Sequence, residues 1–74
     1  MLSLEDKLEL TRREAEMLLL VAEGCYTKEA AGKMGVSYKT ADAHRSRVRI
    51  KLKFLGLQGP IGFRIYAERQ GWIQ

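Results

Sequence analysis

Apolar positions along this chain change their spacing from segment to segment, and the changes mark out helices. From Ala15 the spacing is helical: Ala15, Leu18, Leu19 and Ala22 fall at i, i+3, i+4 and i+7, and Met17, Leu20 and Val21 widen the apolar side almost all round. Thr11 with Glu14 three residues later has the form of a capping box at the start of this helix, and Gly24 is suited to end it. Thr27 reads as the cap of a second, shorter helix from Lys28 to about Met34, with Ala30, Ala31 and Met34 inward. Gly35 stops that helix and Val36 reads as a buried turn residue. Ser37 reads as the cap of a third helix running to about Leu55, whose apolar stripe is Ala41, Val48, Leu52 and Leu55.

One stretch allows two readings. From Arg45 to Phe54 every odd position up to Lys53 is basic, while Val48, Ile50, Leu52 and Phe54 occupy even ones, which is the period of a strand. Two features favour one continuous helix. No turn residue interrupts Ser37 to Leu55, and no second segment alternates to give a lone strand its partner. Gly56, Gly59, Pro60 and Gly62 form a turn region. Pro60 suits the first turn of a fourth helix that carries Ile61, Phe63, Tyr66 and Ala67 and ends near Gly71. Trp72 and Ile73 are expected to fold back over the core. Residues 1–10, with Leu2, Leu4, Leu8 and Leu10, read as a short arm, helical or partly ordered. The expectation is an all-α, compact four-helix domain over 1–74: an arm at 1–10, a three-helix core at 11–55 with a long third helix, and a last helix at 60–71.

Composition narrows the class. A chain of 74 residues with 46% apolar and 30% charged residues suits one small globular domain. The net charge of +4 is unevenly placed. Residues 1–24 hold three basic and six acidic residues, a net of −3, whereas residues 38–55 hold Lys39, Arg45, Arg47, Arg49, Lys51 and Lys53 against Asp42 alone, a net of +5. The positive field therefore comes from the third helix, and an anionic partner belongs there. No apolar run reaches the roughly 20 residues of a membrane helix, and the first residues lack the form of a signal peptide. A single cysteine, Cys25, fits a reducing cytosol, so the expected location is cytoplasmic. One Cys and one His, His44, do not make a zinc site of ordinary ligand count. No paired carboxylates, nucleophile with a base, or phosphate loop points to an enzyme, and no cofactor is implied.

The residues from Leu10 to Leu52 resemble the LuxR/GerE-type helix-turn-helix family. The matching residues are Leu10, Thr11, Arg13, Glu14, Glu16 and Leu18, then Ala22 and Gly24, then Lys28, Glu29 and Ala31. The turn reads Met34-Gly35-Val36-Ser37, and the third helix matches at Thr40, His44, Arg45, Val48, Lys51 and Leu52. Sigma-factor region 4 is similar in outline, but His44 and Lys51-Leu52 fit the LuxR type better. The chain departs from the family where Gly56 comes three residues late after Lys51-Leu52, and where Gly59-Pro60 replaces a polar-Arg pair.

The resemblance implies a helix-turn-helix whose second helix enters the major groove. With Ala41, Val48 and Leu52 inward, the opposite stripe is Lys39, Asp42, Ala43, Ser46, Arg47 and Ile50. By family position the base-reading set is Asp42, Ala43 and Ser46. Arg47 is taken with it, at its border with the groove wall. The phosphate-binding set is Thr27, Lys28, Lys39, Thr40, Arg45, Arg49 and Lys51. The chemistry fits unevenly: Ala43 suits a thymine methyl, Ser46 either base type, and Asp42 a cytosine amino group. Bland readings stand beside these. Asp42 could pair with Ser46, Arg45 or Lys39 within the helix, and Arg45 with Glu14 or Glu29. His44 reads as a packed, hydrogen-bonded residue and Cys25 as an inert thiol. Leu19 and Val21 are extra core or an apolar patch for a partner. The function implied is a stand-alone, sequence-specific transcription regulator on double-stranded DNA. It would act as a homodimer through the C-terminal helix, on half-sites about one helical turn apart. The competing reading is a protein-interaction module that contacts RNA polymerase or another regulator.

Overall fold

A computed structural model describes residues 8–73, and the expectation about Leu2 and Leu4 lies outside them. Among the described residues four helices follow in order: α1 at Arg12–Ala22, α2 at Thr27–Met34, α3 at Tyr38–Lys53 and α4 at Gly59–Arg69. There is no strand among the described residues. The fold is all-α, and the alternation in residues 45–54 lies on a helix.

Each start and stop has a local cause. The Thr11 side chain accepts from the Glu14 N–H at 3.1 Å, and Glu14 Oε1 accepts from the Thr11 N–H at 3.0 Å, so the capping box closes in both directions. The cap of α2 is Tyr26, not Thr27, which is already helical. No hydroxyl caps this end; instead Glu29 reaches back to accept from the Tyr26 N–H at 3.0 Å. Ser37 caps α3 by accepting from the Thr40 N–H at 3.1 Å. The link between α2 and α3 turns at Gly35, whose φ of 71° lies in the left-handed region. The Gly35 and Val36 N–H groups bond Gly32 and Ala31 carbonyls there, which satisfies the end of α2 within three residues. Regular α3 ends at Lys53, two residues before the expected Leu55. The next turn winds on tightly: Leu57 N–H bonds the Leu52 carbonyl and Gly56 N–H bonds that of Lys53. Both Leu52 and Leu57 are buried where this turn closes.

The core joins Met17, Leu18, Val21 and Ala22 of α1 to Ala30, Ala31 and Met34 of α2. It adds Ala41, Val48 and Leu52 of α3, Leu57, and Phe63, Tyr66 and Ala67 of α4. Val21 is core, while Leu19 and Ala15 are half-buried. Gly62 is buried where α4 meets the preceding turn; a Cβ there would lie 2.9 Å from the Leu57 carbonyl carbon. At the periphery burial is incomplete, and Leu55 and Val36 depart from the expectation. Leu55 and Val36 are only half-buried, and Ile61 is 67% exposed because it lies on the first turn of α4 across from Phe63 and Tyr66. Trp72 does turn back, edge-on to Tyr66 with ring centroids 5.9 Å apart, yet remains 41% exposed. The Tyr66 hydroxyl accepts from the Leu8 N–H at 2.8 Å, which ties the chain before α1 to α4.

Candidate nucleic-acid interface

α1 sets the position of the helix-turn-helix through two side chains. Arg13 Nη1 donates to the Met34 carbonyl at the end of α2 at 3.1 Å and to Glu16 at the same distance. Glu14, 3% exposed, accepts from Lys51 Nζ at 2.6 Å, and Lys51 also donates to the Glu9 carbonyl at 2.7 Å. Burial would raise the pKa of Glu14. The Lys51 hydrogen bond, the Thr11 N–H, and the positive charges of Lys51 and Arg47 outweigh it, so the carboxyl sits below its ordinary value. A buried carboxylate held this way fixes the azimuth of α3, because α3 cannot roll without leaving that charge unpaired.

The predicted site residues then separate into three groups. Lys39, Asp42, Ala43 and Ile50 are exposed on the side of α3 away from the core, Ser46 is half-exposed in the middle of them, and Arg49 is exposed on one flank. Thr40 is exposed near the helix start, where its hydroxyl accepts from Ser37 at 3.0 Å. Lys28 is exposed on the first turn of α2. Arg47 is exposed on the flank, about 100° round the helix from Ser46, where Glu14 feels its charge. That places it at the edge of the outward stripe rather than in its middle. Asp42 pairs with none of Lys39, Arg45 or Ser46 among the described residues.

Lys51, Arg45 and Thr27 are held inside the domain. Lys51 is removed from the phosphate set, since its ammonium is taken by Glu14 and the Glu9 carbonyl. Arg45 pairs with neither Glu14 nor Glu29. Its Nη1 donates to Thr27 Oγ1 at 3.0 Å, and its guanidinium lies 5.7 Å from the centre of the Phe63 ring. Arg45 and Thr27, two candidate phosphate ligands, thus occupy each other and link α2, α3 and α4. His44 is half-buried, and its Nδ1 has no hydrogen-bond partner among the described residues, contrary to the hydrogen-bonded role expected for it. Cys25 is half-buried with Lys33 Nζ 3.6 Å from its sulfur.

Tyr38 went unnoticed in the sequence, and Lys53 was counted there within the phosphate-attracting positive field of the third helix. Lys53 is exposed with Arg49 and Ile50 beside a shallow groove that ends at Leu57, Gln58 and Gly59. Tyr38 is 59% exposed on the first turn of α3. Nothing in the sequence distinguished Tyr38.

A solvent-facing stripe on the second helix of a helix-turn-helix, with a cationic margin and a buried pair fixing its azimuth, is the geometry of a groove reader. Residues 8–59 match the family described as GerE, bacterial regulatory proteins, luxR family. The chain belongs to this family. Its members are regulatory proteins rather than enzymes. The chain is similar to the transcriptional regulatory protein TdiR of Thauera aromatica, 49% identical over 43 residues that cover 58% of this chain and 19% of that protein. It is also similar to the oxygen regulatory protein NreC of Staphylococcus aureus strain JH9, 46% identical over 43 residues, 58% of this chain and 20% of that one. The matched region is thus about a fifth of the length of these relatives. No solved structure matches the chain significantly. No helix among the described residues is long and apolar enough to cross a membrane.

Proposed function

We propose that this domain binds double-stranded DNA sequence-specifically as the DNA-reading part of a transcription regulator, with α3 in the major groove. The observation that carries this reading is the outward stripe of α3. Lys39, Arg49 and Lys53 reach solvent there with no ion pair among the described residues, around Asp42, Ala43 and Ser46. Asp42, Ala43 and Ser46 meet base edges, and Arg47 meets the groove wall beside them. Lys39, Thr40, Arg49 and Lys53 meet phosphates, as does Lys28 with the first N–H groups of α2. Arg45 and Lys51 hold the frame and touch no phosphate.

The domain acts as a homodimer through α4 on a pseudo-palindromic site. Ile61 and the half-buried Ile65 lie one turn apart on that helix, beside the Arg64–Glu68 pair at 3.1 Å. An apolar spot flanked by both charge signs suits the self-complementary contact of a two-fold dimer. The test is a fluorescence titration against random-sequence duplex at several salt concentrations, followed by selection from a random pool. A linear fall of log affinity with log salt and a symmetric selected site support the reading; no binding at low salt ends it.

A further inference from the structure

Ile50 is 55% exposed on α3, one turn beyond Ser46 and two beyond Ala43 on the same outward side. It has no part in the core, which takes Ala41, Val48 and Leu52 from the other side of the helix. Its neighbours along the surface are Arg49 and Lys53, with which it lines the groove leading to Gln58. An apolar branched side chain between two cations fits poorly as the centre of a protein contact, where lysine is depleted. It fits a surface that closes on a polyanion carrying apolar groups of its own, and the major groove offers one such group, the C5-methyl of thymine.

We infer that Ile50 is a base-reading residue that packs on a thymine methyl, and that together with Ala43 it makes the domain select thymine at two steps of each half-site. This rests on the major-groove reading above and deepens it. Seven residues of helix separate Ala43 from Ile50, a rise of about 10 Å. Successive base pairs are only about 3.4 Å apart, so the two residues meet different base pairs, with Ser46 facing the bases between them.

The experiment uses the full chain and a duplex selected from a random pool, in which each thymine is replaced in turn by deoxyuridine, which lacks only the methyl. The wild-type chain loses affinity about three- to five-fold at two positions of each half-site, the scale of one buried methyl group. Ile50→Ala binds thymine and uracil equally at one of these positions and keeps the discrimination at the other. Its melting temperature stays at the wild-type value because the side chain is not in the core. Equal binding of every uracil duplex by the wild-type chain overturns the inference, as does full discrimination retained by Ile50→Ala. If Ile50→Ala shifts the sedimentation of the free protein with discrimination intact, the residue belongs to a subunit contact with Phe54, which also overturns it. Failure to bind any duplex at low salt is a different result, because it removes the major-groove reading itself.

Discussion

On the flank of α3 that faces α1, Lys51 gives its ammonium to Glu14 at 2.6 Å, and on the other flank, six residues earlier, Arg45 is bonded to Thr27 on α2. Arg49 and Lys53 stand in solvent without an acidic partner among the described residues. All four come from one run of alternating basic residues and would be equal in any count of charge. Azimuth separates Lys51 from Lys53, since successive helical residues turn by about 100°, whereas Arg45 and Arg49 lie one turn apart on the same flank and differ because Thr27 and Phe63 stand opposite Arg45 alone. The inward pair orients the reading helix, and the outward pair is free to meet an anion.

Substitutions can break this division, and the largest effect belongs to the core side. Leu52→Ala empties a fully buried site and should cost about 2–5 kcal/mol, whereas Ile50→Ala, two residues away, should stay within about 0.5 kcal/mol; urea unfolding of the two variants checks the contrast. Gly62→Ala comes next. Its Cβ meets the Leu57 backbone, so the turn must shift, and we expect a loss of about 1–3 kcal/mol in the same assay.

Lys51→Met leaves Glu14 buried with its main partner gone. The expected loss is about 1–2 kcal/mol, kept modest because Lys51 is itself 35% exposed and partly screened by water. Its DNA salt slope should equal that of the wild type. Arg49→Ala should do the reverse, leaving the unfolding midpoint in place and lowering the slope of log affinity against log salt by about one unit. A Lys51 variant with a reduced slope and unchanged stability would erase the distinction.

The pH dependence carries the same contrast in a smaller effect. The pKa of Glu14 is lowered on folding, so its contribution is fully present above the unfolded value of about 4.5 and is lost as pH falls through the folded value. The wild type should therefore be the more stable of the two at neutral pH and lose stability more steeply than Glu14→Gln as pH falls below about 4.5, so that the two curves converge in acid. Parallel curves across pH 3 to 6 would mean that the Glu14–Lys51 pair does not couple to folding.

The sequence by itself determined the elements and their order. The capping box at Thr11 and Glu14, the Ser37 cap, the Gly35 turn and the stripe Ala41, Val48 and Leu52 are local signals, each fixed by residues within a few positions of one another. It also located the positive field on the third helix and the outward residues Lys39, Asp42, Ala43 and Ser46. Only the tertiary structure decided which cations on that helix are available. Glu14 and Lys51 are 37 residues apart, Thr27 and Arg45 18 apart, and Phe63 joins Arg45 from a further helix. It likewise put Ile61 and Phe54 outside and left Trp72 half covered. Periodicity assigns a residue to one side of its own helix. Whether that side meets an acid, a ring or water depends on how the other helices cross it, and such long-range pairing leaves no mark in local spacing.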